Sequence, residues 1–277
     1  MYIKYPVILN HKIAGCILFL ILTLLFTCCK KESMGLISRE QEIELGRKVD
    51  SMILSSPERF PVLDTALYHN AYAWLDTLLS EILQSGHLQR KNAFEYQVKI
   101  IDRDIIHAFA SPGGHLYFYT GLINILDNGA QFAGVLSHEV VHIDRRHVTG
   151  NLESEYQIDQ LLSVIWGNNA GVLTEISGKI TGESGSAAFS SHQEYEADEF
   201  AVKYLADTDY EPRGILYFYD KLDQALQAGF YPEFLDIHPD PDKRLETIEK
   251  VWEDLGSPEG DLFTSQYQNF KLILTAN

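Results

Sequence analysis

The chain has 277 residues, 45% hydrophobic and 12% aromatic, enough apolar side chain for a sizeable globular core, which excludes a wholly disordered chain or a fibrous repeat. With 22 Lys and Arg against 39 Asp and Glu its formal net charge is -17, a surface that repels phosphate backbones and argues against nucleic acid as a partner. Its 3 cysteines, Cys16, Cys28 and Cys29, all lie near the start, so the rest of the chain has no thiol for a disulfide, a cluster or a nucleophile, and any metal must be held by His, Asp or Glu.

Residues 1–12 carry Lys4 and Lys12 and no acid, and an uncharged run follows at 13–26, short of the roughly 20 residues of a bilayer span. This is the shape of a secretory signal peptide. The run closes on Leu25-Phe26-Thr27-Cys28, which resembles a bacterial lipobox. The expectation is a signal peptide at 1–27, lipidation at Cys28, a tether over 28–37, and a body at 38–277 that faces away from the cytoplasm, on the periplasmic side or at the cell surface, held to a membrane by the lipid. An uncleaved anchor and a plain secreted chain are the alternatives. No later stretch reads as a span, since the apolar residues of 161–173 are interrupted by Gly167, Asn168, Asn169 and Gly171.

Ser38 and Gln41 have the spacing of a capping box, and Ile43, Val49 and Ile53 continue a first amphipathic helix. A second is capped by Asp64, carries Leu67, Ala71, Leu75, Leu78, Leu79 and Ile82 at three- and four-residue steps, and ends at Gly86. Between Phe94 and Thr120 the period changes to two, interrupted by Ser111-Pro112-Gly113-Gly114, which predicts a small sheet. Beyond Gly121 helices are expected at 128–149, 191–206, 212–228 and 241–254, and a loop pair around a short helix at 167–185. With no internal repeat, 38–277 reads as a single domain, α+β and mostly helical.

His138-Glu139-Val140-Val141-His142 is an H-E-x-x-H pattern inside the helix predicted at 128–149. Asn128 and Gln131 suit its start, Phe132, Val135, Leu136, Val140 and Ile143 form an apolar stripe, and Arg145, Arg146 and His147 suit its negative end. His138 and His142 then stand one turn apart on one face, able to bring two imidazoles to one zinc. Glu139 is placed to take a proton from the water that attacks a carbonyl and return it to the leaving amine. Chance histidines on a surface helix are the bland alternative.

A catalytic zinc needs a third protein ligand, and Glu194 in the stretch Ser190 to Asp198 is the expected source, on the buried edge of its helix with Ala197, Ala201 and Leu205. A capping box between Ser191 and Glu194 competes with that reading. Glu196 shares a face with Glu199 and Lys203 and reads as solvent-facing. Asp198, one turn beyond Glu194, is placed to accept the second ring N–H of a zinc-bound histidine.

Residues 132–147 and the Glu194-Tyr195-Glu196-Ala197-Asp198 segment resemble the CAAX prenyl protease and HtpX family of zinc metallopeptidases, as do Ala110-Ser111-Pro112-Gly113-Gly114 and His238-Pro239 with Arg244. The resemblance implies a zincin-like, gluzincin-type fold with the sheet beside the active-site helix, one zinc per chain on His138, His142 and Glu194, Glu139 as base and Asp198 behind the ligands. The missing membrane spans set this chain apart from the prenyl protease and HtpX branches and place it nearer exported lipoprotein members. His238 and Arg244 are candidates to donate to the oxyanion, and the family also suggests a histidine that closes on zinc and keeps the site latent. Gly113, Gly114 and Leu116 are expected to bind substrate, the strand at 116–120 offering an open edge to an extended peptide. His107, His115 and His147 read as structural or exposed.

The function that follows is a zinc-dependent endopeptidase of the bacterial cell envelope acting on peptides or unfolded proteins, and the resemblance implies quality control of misfolded or misassembled envelope proteins. A catalytically silent or latent zinc scaffold that recognises unfolded segments is the alternative, and hydrolysis of a non-peptide amide a third.

Overall fold

The computed structural model describes residues 35–167, 169–183, 188–239 and 242–275, without the side chains of 242 and 243. The expected signal sequence, Cys28 and Asp240-Pro241 lie outside these residues.

Helix α1 (Arg39–Leu54) starts at the capping box that its sequence predicts: Ser38 accepts from the Gln41 backbone, and the Gln41 side chain accepts from Ser38 N–H at 2.7 Å. It buries Leu45, Val49 and Ile53 but leaves Ile43 at 39% exposure, so the packed stripe is turned slightly from the expected one. α2 (His69–Ile82) begins later than predicted, because Asp64 spends its carboxylate on the Ala66 and Leu67 N–H groups of a preceding turn, leaving Leu67 outside.

Three strands form the sheet: β1 (Gln97–Ile101), β2 (Ala108–Ser111) and β3 (His115–Tyr119), in the order β1-β3-β2. β1 runs parallel to β3, Gln97 opposite His115, and β2 runs antiparallel, Ser111 opposite His115. The expectation of an open edge at 116–120 is therefore corrected. β3 is the central strand with both sides paired, Leu116 is fully buried, and the edges are β1 and β2. Pro112–Gly114 is a short 3-10 turn in which Gly113 and Gly114 have φ of 78° and 102°, a region that favours glycine. These glycines lie against the backbones of Ile43 and Glu95, so they join the sheet to its neighbours.

After α3 (Thr120–Ile125) comes the centre of the molecule, α4 (Gly129–Asp144), capped by Asn128, whose side chain accepts from Gln131 N–H at 3.0 Å. Every residue of α4 is buried, polar ones included. Its sequence shows one apolar stripe, yet it is covered on all sides. β2 lies on one flank; Trp74 and Phe270, stacked at 4.6 Å between centroids, meet Phe132 on another.

The helix expected through 149 stops early. Arg146 takes a left-handed φ of 60°, and α5 (His147–Glu155) sets off in a new direction. Then follow α6 (Ile158–Ile165), α7 (Ala170–Ile180), α8 (Ser191–Leu205), α9 (Gly214–Gln227), α10 (Phe234–Ile237), α11 (Asp242–Asp254) and α12 (Thr264–Thr275). The segments expected at 191–206, 212–228 and 241–254 match α8, α9 and α11 closely; α6, α10 and α12 were not foreseen. α8 and α9 both pack on α4, and α11 packs on α8. No described helix is long and apolar enough to cross a membrane. The fold is α+β and mostly helical, with the small sheet beside the central helix.

Candidate metal centre

α4 supplies His138, Glu139 and His142, α8 supplies Glu194 and Asp198, the loop after α10 supplies His238, and α11 supplies Arg244. All seven are buried to 1% exposure or less. α8 begins with a capping box between Ser190 and Gln193, not Ser191 and Glu194, so the Glu194 side chain is free to turn inward.

Ligating atoms of His138, His142, Glu194 and His238 all lie within 4.8 Å of one another. Nε2 of His138 is 3.0 Å from Nε2 of His142 and 3.2 Å from Nδ1 of His238. Glu194 Oε1 lies 3.0 Å from His238 Nδ1 and 3.4 Å from His142 Nε2. Donors around a tetrahedral zinc stand roughly 3.3 Å apart, so the cluster fits one ion. Its hydrogen bonding says the same. Asp198, a carboxylate, can only accept, so His138 Nδ1 donates to it at 3.0 Å and the His138 Nε2 lone pair points into the cluster. His142 Nε2 faces that lone pair at 3.0 Å, so the two ring nitrogens of α4 converge as two ligands of one cation would. The cluster can hold one zinc.

Arg244 donates to both oxygens of Asp198 at 2.6 and 2.7 Å and pairs with Glu194. Burial works against ionising Asp198 and Glu194, but Arg244 and the imidazoles outweigh it and hold both carboxyls below their ordinary range. With its guanidinium committed to two carboxylates, Arg244 is a support for the ligands and is poorly placed to donate to a substrate oxyanion. Glu139 is likewise held below its ordinary range, burial being overcome by His238, His142 and His138. His238 Nε2 lies 3.2 Å from Glu139 Oε1. Burial lowers the His238 imidazolium, yet the carboxylates of Glu194 and Glu139 push it up to about 9. Phe234 stacks on His238 at 4.1 Å and Phe189 on His142 at 3.7 Å between centroids.

The structure thus brings together His138, Glu139, His142, Glu194, Asp198, His238 and Arg244. Gly113, Gly114 and Leu116 are not part of the cluster and serve the sheet. Beside edge strand β2 lies a cavity of about 30 Å³ lined by Ala110, Val148, Leu152, Phe189 and Ile237, linked to the centre through Phe189 and His142.

His147 is the residue that sequence reasoning missed. It is buried, its Nδ1 lies 3.1 Å from Nδ1 of His142, and its Nε2 lies 3.1 Å from Glu196 Oε2. Glu196 is accordingly not a purely solvent-facing residue; its side chain is 30% exposed. On an unbroken helix His147 would face about 140° away from His142. The left-handed Arg146 turns it back, and nothing in the local sequence announces a non-glycine residue in that conformation. His107 and His115 are structural as expected, His107 Nε2 lying 3.2 Å from the Thr181 carbonyl and His115 lying near Asp50.

The sequence profile described as Peptidase family M48 matches residues 70–252. The β-barrel assembly-enhancing protease of Yersinia pestis is 28% identical over 221 residues, 76% of this chain and 43% of that protein. The β-barrel assembly-enhancing protease of Escherichia coli (strain K12) is 30% identical over 157 residues, 53% of this chain and 32% of that protein. The mitochondrial metalloendopeptidase OMA1 of Arabidopsis thaliana is 28% identical over 164 residues, 59% of this chain and 32% of that protein. The chain spans less than half the length of these relatives.

Proposed function

Because the chain belongs to peptidase family M48, we propose that it is a zinc-dependent endopeptidase that cleaves peptide bonds of unfolded or misassembled proteins of the bacterial cell envelope. The observation that carries the reading is the convergence of His138, His142 and Glu194 beside the ionised carboxylate of Glu139. The relatives described as β-barrel assembly-enhancing and as metalloendopeptidases favour a protein substrate in an envelope or organelle setting. In this reading residues 1–27 are the signal peptide, 28–37 with lipidated Cys28 the tether to the membrane, and 38–277 one catalytic domain.

His138, His142 and Glu194 would hold the zinc, which when bound would supply Lewis acidity toward water and the substrate carbonyl. Glu139 takes the proton of the attacking water and delivers it to the leaving amine, so one carboxylate serves both halves of the reaction. Asp198 holds His138 by its outer nitrogen, and Arg244 keeps Glu194 and Asp198 in register one turn apart on α8. A peptide strand pairs with the edge of β2 rather than with β3, and Ala110 ties that edge to the apolar cavity beside Phe189.

One observation favours a second reading, that of a latent enzyme. His238 is fully buried against both Glu194 and Glu139, so it occupies the base and the fourth corner of the cluster together. In a latent enzyme, His238→Ala raises turnover with zinc retained; if His238 serves the oxyanion, the same change lowers it. Unchanged turnover removes both roles. The main test is cleavage of casein or an unfolded envelope protein by the full chain and by Glu139→Gln. Loss of cleavage in the variant with equal zinc content is expected; equal cleavage would overturn the reading, and zinc binding with no peptide cleavage by either protein or by His238→Ala would point to a silent scaffold or a non-peptide amide.

A further inference from the structure

We propose that His147 and Glu196 are positioning residues that fix the tautomer and ring orientation of His142 from behind the cluster. The inference rests on the zinc site proposed above and concerns how one of its ligands is held. His142 directs Nε2 inward, 3.0 Å from His138 Nε2 and 3.4 Å from Glu194 Oε1, so a ligand role requires its proton on Nδ1. The partner of that Nδ1 is His147 Nδ1 at 3.1 Å, which must then accept. An imidazole that accepts at Nδ1 carries its proton on Nε2, and Glu196 Oε2 stands 3.1 Å away to receive it. The directions of the two hydrogen bonds are therefore set from the far end: a carboxylate accepts from His147, and His147 accepts from His142. His138 reaches its own carboxylate, Asp198, directly. The two α4 ligands are thus steadied in different ways, one by a buried carboxylate and one through a histidine that ends on a half-buried carboxylate.

A second, independent feature points the same way. Arg146, directly before His147, holds a left-handed φ of 60°, a conformation unfavourable for a residue with a Cβ. It is kept there by Glu42, 3.3 Å from its Nε, and by Glu153, 2.8 Å from its NH2 nitrogen. That break is what returns His147 to His142; a continued helix would carry it away.

The test is the zinc dissociation constant of the full chain, measured by competition with a chromophoric chelator, so the readout does not depend on turnover. His147→Leu keeps bulk but removes the acceptor, and a loss of zinc affinity of about ten- to a hundred-fold is expected. His147→Asn, whose amide oxygen falls near the place of Nδ1, should recover most of it. Glu196→Leu should weaken binding in the same direction and add little to His147→Leu, because both act through one chain of hydrogen bonds. Unchanged affinity in His147→Leu, equal losses in the Leu and Asn variants, or fully additive losses would overturn the proposal. Should His147→Leu fail to fold, Glu196→Leu on the half-buried face decides alone, and no change in its affinity overturns the proposal. A wild-type chain that binds no zinc overturns this inference and the proposed function together; normal zinc in the wild type with indifferent variants overturns only the inference.

Discussion

Arg244 shows how much of the centre depends on a side chain that need not touch substrate. It is 1% exposed and neutralises two carboxylates that would otherwise be buried one turn apart on α8. Removing one partner of such a buried pair is far more costly than the pair is worth, because the remaining charge has no compensation. Arg244→Leu should destabilise the metal-free protein by about 3–5 kcal/mol in denaturant unfolding. A loss below about 1 kcal/mol would show that Glu194 and Asp198 find other partners. At this scale the sequence was informative wherever spacing alone fixes geometry: His138 and His142 are four apart, and Glu194 and Asp198 are four apart, so each pair shares a helical face. It was uninformative where a break in the backbone intervenes. His147 is five residues from His142, and only the left-handed Arg146 makes them neighbours.

Between elements, α9 packs closely on α4, the helix that carries His138 and His142. A Cβ on Gly214 would come within 1.8 Å of the Ala130 carbonyl oxygen, and one on Gly134 within 2.2 Å of the Ile215 nitrogen. Both obstructions are backbone, which cannot swing aside. Gly134→Ala should therefore force the helices apart and cost about 1–3 kcal/mol or more, lowering zinc affinity as well because Gly134 is one turn before His138. Wild-type stability with wild-type zinc affinity would show that the crossing is slack. The sheet gives a second lesson about elements. Strand positions were legible from period-two patterning, but strand order was not. The sequence places β2 and β3 next to each other as a hairpin-like pair; it says nothing of β1 returning to the far side of β3. That pairing makes β3 the central strand and leaves β1 and β2 as the edges of the sheet.

For the molecule as a whole, a buried cluster of three imidazoles and three carboxylates with a single guanidinium is an unfavourable thing to fold without a further cation. Zinc that binds the folded chain stabilises it by mass action, about 4 kcal/mol when free zinc is a thousand times the dissociation constant. Chelation should lower the melting temperature by roughly ten degrees, and added zinc should restore it in a concentration-dependent way. Identical melting with and without chelator would mean that the ion contributes nothing to the fold. The net charge of -17 adds a general resistance to anionic partners but says nothing about the architecture.

The amino-acid order by itself determined the local facts: where α8, α9 and α11 start and stop, which residues alternate in the strands, and that two histidines share a helix at ligand spacing. These are consequences of backbone periodicity and capping, which act over a few residues. Only the tertiary structure decided that α4 is enclosed on every side, that Arg244 and His238 close over the ligands from distant segments, and that His147 and Glu196 stand behind His142. Those contacts join positions tens to a hundred residues apart, and burial of the whole assembly, rather than any short-range pattern, brings them together.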